Sequence, residues 1–392
     1  MFKVFRHRVY QSAGFTLIEL LVSLVVASIF LLATAMIVIE TMRLDREETG
    51  RTQVQAELTQ AMEFIQQDLA EALYIYNDTE QNPQQSDRLG DGIPDVIQRL
   101  YAPGWIRRPD DAIPVVAFWK LEPIPQGCYA GNPTLQQIRE GRARLPNQPP
   151  DGFPRDQNGR NADWDTLVSR RGIYTLVVYY LRRNYNNAGN PTGRTPWEGN
   201  ARIERFELRP FARQGNNDCA GRSPFFRVDP DPFREGFLAW PSQQALQRLE
   251  QEGTPQRRIA EAGNQGPGLV TLVSNIFSSR QDSRQDSPQD APACPQGYAF
   301  GGGKPNGVTF PGLEDNQNDV GFYVCVRQSV GADRPQDVII NITATAMERA
   351  NPGLFRRYIR NATSVDISEV SRYLLPLQTR VLARGVINRP LS

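Results

Sequence analysis

The sequence predicts an α+β protein: a long N-terminal helix packed on an antiparallel β-sheet domain with long loops. Three observations carry the prediction. An apolar run of membrane length opens the chain, a charged stretch of helical period continues it, and short β-like runs between polar loops fill the remainder.

The apolar run spans Phe15 to Ile39, 25 residues interrupted only by small polar groups and Glu19. About 20 such residues cross the hydrocarbon core of a bilayer as a helix. Lys3, Arg6 and Arg8 precede the run with no acid among them. That bias predicts a cytoplasmic N-terminus and a large domain on the far side of the membrane. A secretory signal peptide has a shorter apolar core followed by a small-residue cleavage site. Here the small residues, Ser12-Ala13-Gly14, come before the run. A carboxylate at the centre of a spanning helix costs ~2.5–3.5 kcal/mol on insertion scales, so Glu19 demands a reason.

The stretch Gly14-Phe15-Thr16-Leu17-Ile18-Glu19 supplies one. It resembles the processing site of type IV prepilins and pseudopilins: a short basic leader, Gly, Phe, Thr-Leu, a Glu five residues into the mature chain, then an apolar helix. The resemblance implies that prepilin peptidase cuts after Gly14, removes residues 1–14 as a leader and N-methylates Phe15. Glycine leaves the backbone unhindered for a protease working at the membrane face. The resemblance further implies that Glu19 pairs with the charged N-terminal amine of a neighbouring subunit in a filament. Residues 15–39 then lie first in lipid and later in a filament core. A buried ion pair of this kind serves register more than stability.

From Glu40 the chain becomes charged but keeps a helical period. Val54, Leu58, Ala61, Met62, Ile65, Leu69 and Leu73 recur in steps of three or four, while Glu57, Gln60, Glu63, Gln67 and Glu71 take the other faces. This is one apolar stripe on an amphipathic helix. Residues 40–76 are therefore read as a stem that continues the spanning helix to Tyr76, 62 residues from Phe15 and about 90 Å at 1.5 Å per residue. Its second half is expected to lay the stripe on a globular domain. Gly50 is the weak point, where a kink or joint is expected. The segment Ala61–Tyr76, AMEFIQQDLAEALYIY, also resembles the helix of minor pseudopilins of the J or W type, in which an Arg/Gln-Asp-Leu segment precedes the first loop.

Residues 77–392 are read as one exported β-rich domain with long loop insertions. Candidate strands are Val115–Leu121, Ile173–Leu181, Ala201–Pro210, Leu269–Phe277, Gly321–Val326 and Val338–Ala344, with Leu377–Asn388 as an edge strand. The run IYTLVVYYL is the strongest, being rich in β-branched and aromatic residues. Strands without alternating helices predict an antiparallel sheet. The loops Asn82–Arg99, Gln126–Trp164, Asn184–Asn200 and Ser278–Asn318 are rich in Asn, Gln, Pro, Asp and Gly. Within the last, QDSRQDSPQ has no apolar residue and reads as disordered. A short helix is expected at Ser242–Gln251.

The composition narrows the chemistry. Forty-four basic and 43 acidic residues give a net charge of +1, which offers no electrostatic case for nucleic acid. The one histidine, His7, lies in the leader, so a mature chain would have none. Without histidine there is no Ser-His-Asp or Cys-His nucleophile system and no histidine-ligated metal. No enzymatic activity is expected. Cys128, Cys219, Cys294 and Cys325 form no CxxC pair and suit two disulfides in an exported domain, with all three pairings open. Asp87, Asp91 and Asp95 flank a glycine turn and are candidate calcium ligands. Asp156, Asn158, Asp163 and Asp165 are a weaker set of the same kind. The arginine pairs Arg107-Arg108, Arg170-Arg171, Arg182-Arg183 and Arg356-Arg357, the last with Arg360 nearby, are read first as solvated faces. A surface for an acidic polysaccharide is the sharper reading. Trp105, Trp119, Trp164, Trp197 and Trp240 are read as core or loop anchors before sugar-stacking platforms.

The resemblance thus implies a minor pilin-like subunit, or pseudopilin, of a type IV pilus or type II secretion machine. Its partners would be prepilin peptidase, other pilins or pseudopilins and an inner-membrane assembly platform. It would sit in the inner membrane with a single pass and a periplasmic domain, then in a filament. The lysine-poor loops resemble those of cyanobacterial pilin-like proteins, among them the hormogonium polysaccharide secretion pseudopilins, which implies polysaccharide secretion and surface motility. A second reading is a pilus-tip adhesin or a carbohydrate- or calcium-binding module on a pilin stem.

Overall fold

The computed structural model describes residues 16–76, 112–124, 126–129, 131, 133–140, 142, 172–185, 191, 197–208, 211–214, 217–222, 269–277, 294–301, 321–327, 336–360 and 365–385. Helix α1 runs Leu17–Ala70, 54 residues or about 80 Å. The expected α+β organisation is present: α1 lies on a curled antiparallel sheet.

The stripe is buried as its spacing predicts. Val54, Leu58, Ala61, Met62, Ile65 and Leu69 all enter one core with the sheet. The expected helix end at Tyr76 is not observed. The helix stops at Ala70, and Ala72–Ile75 forms strand β1. The reason is packing: Tyr74, Ile75 and Tyr76 are buried, and β1 pairs antiparallel with β2, Ala112–Pro123. Aromatic and β-branched residues favour that setting over a helix end. Gly50 is not a break either. It lies inside α1 and is buried, and a Cβ there would sit 3.1 Å from the Cβ of Arg349. The glycine lets another segment approach the stem closely.

After β2 come a 3₁₀ turn, Gln126–Cys128, and α2, Leu135–Arg139. The sequence predicts a loop here; the structure has a capped helix instead, in which the Thr134 hydroxyl accepts from Gln137 N and the Gln137 side chain accepts from Thr134 N. The strands that follow are β3 (Gly172–Arg183), β4 (Ala201–Leu208), β5 (Phe211–Gln214), β6 (Asn217–Arg222) and β7 (Val270–Ile276). Next are β8 (Tyr298–Phe300), β9 (Phe322–Arg327) and β10 (Asp337–Thr345). Three helices not anticipated from sequence follow: α3 (Met347–Ala350), α4 (Pro352–Arg360) and α5 (Ile367–Ser371). Strand β11, Leu374–Leu382, lies earlier than the expected Leu377–Asn388. Strand β2 starts three residues before the expected Val115; its Pro114 sits at a register shift, where a missing N–H is tolerated. The helix expected at Ser242–Gln251 lies outside the described residues.

Among the described residues, the large sheet has the order β1-β2-β3-β4-β7-β10-β9-β8, with β11 also pairing β10. β5 and β6 form a separate hairpin. The large sheet curls until its ends meet. Arg384 N donates to Ala70 O and Gly385 N to Ala72 O. The Gln336 side-chain amide accepts from Ile75 N and donates to Ile75 O, both at 2.7 Å, standing in for a neighbouring strand. One disulfide, Cys294–Cys325, ties the segment before β8 to β9. Cys128 is also disulfide-bonded. The side chain of Cys219 lies outside the described residues.

Ile65 is fully buried under the sheet, whereas Leu21 on the same helix is 55% exposed. In detergent, Ile65→Ala is expected to lower the unfolding free energy of the sheet domain by about 2–5 kcal/mol. Leu21→Ala is expected to leave it unchanged. Denaturant unfolding checks both, and equal effects would contradict the division of the helix.

Candidate functional site

The first described turn of α1 carries Thr16 as its N-cap and Glu19 in its first turn, with no side-chain cap bond. Every large apolar residue from Leu17 to Leu44 is exposed; Phe30, Leu31 and Met36 are examples. No other part of the described chain covers this surface, and its most apolar 18-residue window has a mean hydropathy of 2.8. A bare apolar helix of this length is stable in lipid or against other apolar helices, not in water. Glu19 lies on it beside Ile18, Val22 and Ser23. Ser23, Ser28, Thr34 and Thr41 turn their hydroxyls back to main-chain carbonyls three or four residues earlier. That satisfies each polar group within the helix and leaves Glu19 as the feature that asks for an outside partner. Gly14 and Phe15 lie outside the described residues.

Where the stem meets the sheet, the apolar core is interrupted by a buried charge cluster. Asp68 projects from the stripe side of α1 and is buried. Its Oδ1 accepts from Lys120 Nζ at 3.0 Å, and its Oδ2 from Arg205 Nε at 2.6 Å and the Tyr179 hydroxyl at 2.7 Å. Strands β2, β3 and β4 each contribute one of these donors. Glu122 closes on Lys120 at 2.8 Å and Glu207 on Arg205 at 2.5 Å, so both cations are shared. The Arg205 guanidinium also lies over the Phe64 ring, 5.6 Å from its centre. Burial pushes the Asp68 carboxyl up, but the Arg205 hydrogen bond and charge, with Tyr179 and Lys120, outweigh it and hold the group below its usual range. Burial and the neighbouring Asp68 charge push the Tyr179 hydroxyl up, so it stays a donor. Sequence reading placed Ile65 and Leu69 on the stripe but passed over the acid between them. A carboxylate on an otherwise apolar stripe was the available signal.

A second clamp sits lower on the stem. Arg349 Nη1 reaches Glu57 at 3.0 Å, and Arg349 Nε reaches Glu198 at 2.9 Å. Gly199, at φ +74°, donates to the Glu348 carboxylate; a Cβ at Gly199 would lie 2.4 Å from Asn275 Cα, so only glycine fits. Burial raises the Glu348 carboxyl above its usual range despite that bond. Beside the clamp, Gln60, Phe64, Trp197 and Leu272 line an open groove of about 370 Å³.

Of the other expected site residues, Asp87, Asp91 and Asp95, and the set Asp156 to Asp165, lie outside the described residues. Among the described residues no cluster of three or more His, Cys, Asp or Glu suits a metal ion. Trp119 is buried and donates to the Tyr76 hydroxyl at 3.0 Å. Trp197 is partly exposed, with Arg202 over its ring at 5.4 Å. Arg183 is buried, and Arg182 reaches Glu204 at 3.4 Å.

The family model for the prokaryotic N-terminal methylation motif matches residues 10–35. That segment contains Gly14, Phe15 and Glu19, and the motif is typical of type IV prepilin-like proteins. In its N-terminal region the chain is therefore prepilin-like, and the long apolar helix fits. The motif implies processing by prepilin peptidase and assembly with other pilins. The apolar helix suggests membrane anchoring. Neither the curated proteins nor the solved structures gave a match to this chain.

Asp68→Asn would leave Arg205 with Glu207 and Lys120 with Glu122 as their remaining acids, so the cost is expected below the about 3–5 kcal/mol of a fully unpaired buried charge. The Asp68 carboxyl is held below its unfolded value, so its stabilisation is complete above about pH 4 and fades as pH falls through the folded value. Denaturant unfolding at pH 5 and below should show wild type losing more stability on acidification than Asp68→Asn. Parallel losses would contradict the role of this carboxylate.

Proposed function

We propose that the chain is a minor, non-catalytic pilin-like subunit, a pseudopilin of a type IV pilus or type II secretion-like machine. The observation that supports it most is the pairing of the methylation motif with a stem whose first half is bare and whose second half is packed. The bare half, Leu17 to Leu44, would lie in the inner membrane before assembly and among other apolar helices afterwards. Glu19 would receive the N-methylated amine of Phe15 of a neighbouring subunit. The pair would fix how far one subunit stands from the next. The motif's own logic supports an orientation in which the sheet domain is periplasmic. Export of polysaccharide and surface motility would be the pathway served, supported by the lysine-poor, Asn/Gln/Arg-rich composition.

The adhesin reading keeps one observation in its favour. The groove beside Arg349 exposes Trp197 and Phe64, 37% and 44% exposed, between the stem and β7. Aromatic faces beside charged groups can stack on sugars. Arg202 already occupies a face of Trp197, so the subunit reading is preferred.

In the producing cell, Glu19→Ala is expected to be cut and methylated normally yet to drop out of the assembled fraction. Gly14→Ala is expected to remain a full-length precursor. Immunoblotting of membrane and sheared-filament fractions reads both. Full assembly of Glu19→Ala would remove the pairing role assigned to that carboxylate.

A further inference from the structure

We infer that the arginine face of α4 is a docking surface for anionic phospholipid headgroups, used while the subunit is anchored. The inference rests on the membrane-anchored reading of α1.

Leu354, Phe355, Tyr358 and Ile359 of α4 are buried in a small core with Phe277, Met347 and Tyr373. Phe277 follows β7, Met347 follows β10 and Tyr373 precedes β11, so this core caps one end of the large sheet. Tyr185, just past β3, meets Phe355 edge-on at 6.1 Å, again at that end. The capped end is the one nearest the apolar half of the stem. Arg349 and Ala350 close on Gly50 there, whereas the opposite end of β11 leads to Arg384 and its bond to Ala70. The two spans agree: Gly50 to Ala70 is about 30 Å of helix, and β11 covers about the same distance as a strand.

Helix α4 is amphipathic. With its apolar face turned into the cap, Arg356, Arg357 and Arg360 are left exposed on the other side, away from the sheet. Arg357 lies 3.6 Å from Glu369 of α5, and both are exposed. Among the described residues, Arg356 and Arg360 have no acidic partner. Asp366 and Glu369 are the acids of the adjoining α5 segment, and Arg372 adds a further exposed cation.

The spacing brings this face to the membrane surface. Ile39, the last residue of the apolar run, is about 16 Å along the helix from Gly50. The headgroup layer takes up several of those ångströms, and α4 begins one residue after α3, the helix that meets Gly50. At about the height of Gly50 the arginines would be on the order of one Debye length, about 10 Å at 0.1 M salt, from the lipid charges. Each basic residue at an anionic surface contributes appreciably to binding. At this level the stem carries Glu40, Asp45, Glu47 and Glu48 against Arg43, Arg46 and Arg51, with Arg43 paired to Glu40. Four acids against three bases leave it slightly acidic, so the attraction comes from α4. Docking would hold the sheet domain down on the bilayer until assembly lifts it away.

The test uses the full chain in nanodiscs, with a donor dye on Gly353→Cys and acceptor dye on lipid headgroups. Gly353 is exposed, and a Cβ there meets nothing closer than 3.6 Å. A second protein labelled at Asp45→Cys on the stem reports anchoring. Anionic discs containing phosphatidylglycerol are expected to raise the docked-to-undocked ratio at Gly353 at least tenfold over phosphatidylcholine discs. One molar salt, which shortens the Debye length to about 3 Å, should abolish the gain in the unaltered arginine background. Arg356→Glu, Arg357→Glu and Arg360→Glu together should abolish it as well. Low transfer from Asp45→Cys on both discs would overturn the anchoring reading. High transfer there with no lipid dependence at Gly353 would overturn this proposal alone. Transfer that follows protein density per disc, or is competed away only by an acidic polysaccharide, would also overturn it, because the face would then serve another copy's acidic stem or a glycan.

Discussion

The carboxylate of Asp68 under the sheet is the interaction on which the placement of everything else depends. An apolar stripe alone is a poor ruler. Sliding the stem by one turn, about 5.4 Å, would set one aliphatic residue where another had been, at modest cost. A buried carboxylate resists such a slip, because moving it breaks three hydrogen bonds at once, takes the Tyr179 hydroxyl's acceptor away and leaves Arg205 and Lys120 each with one acid fewer in the interior. With Asp68 in place, three other fits follow. Gly50 comes under Arg349, Glu57 meets the same arginine, and Ala70 and Ala72 reach the chain beyond β11.

That register divides one continuous helix between two environments. Above Gly50 the stem is sealed by the sheet; below it, nothing in the described chain covers the apolar surface from Leu17 to Leu44. A single uninterrupted helix couples the two, so an event at the bare end is felt as a displacement of the whole sheet domain. Gly50 contributes to this coupling by admitting α3 against the stem, which stiffens the point where the sequence suggested a joint.

Much of this was legible in the sequence. The stripe Val54 to Leu69, the spanning run and the GFTLIE signature are local patterns with fixed periods or fixed order, and such patterns survive in one dimension. The main strands were likewise visible as β-branched and aromatic runs. The stop of α1 at Ala70 was not, because Leu73 continues the helical period while β1 is chosen by its pairing with β2, a contact more than 40 residues away in the chain. Asp68 was overlooked for a similar reason: its partners come from Lys120, Tyr179 and Arg205, which only the sheet brings together. The Gln336 amide that bridges to Ile75 has no sequence signal at all. Helix α4 shows in the sequence only as an arginine pair, since its apolar face, Leu354, Phe355, Tyr358 and Ile359, is short and follows Asn351-Pro352-Gly353, which reads as a turn. The candidate calcium ligands at Asp87, Asp91 and Asp95 lie outside the described residues.

The central claim is that this chain is a precursor whose helix begins its working life at Phe15. The direct measurement is the mass of the N-terminal peptide of the unaltered protein, recovered from the membranes of producing cells. The account predicts a peptide that starts at Phe15 and carries one added methyl group on its amine. A peptide that still begins at Met1, or one cut elsewhere and left unmethylated, would contradict it.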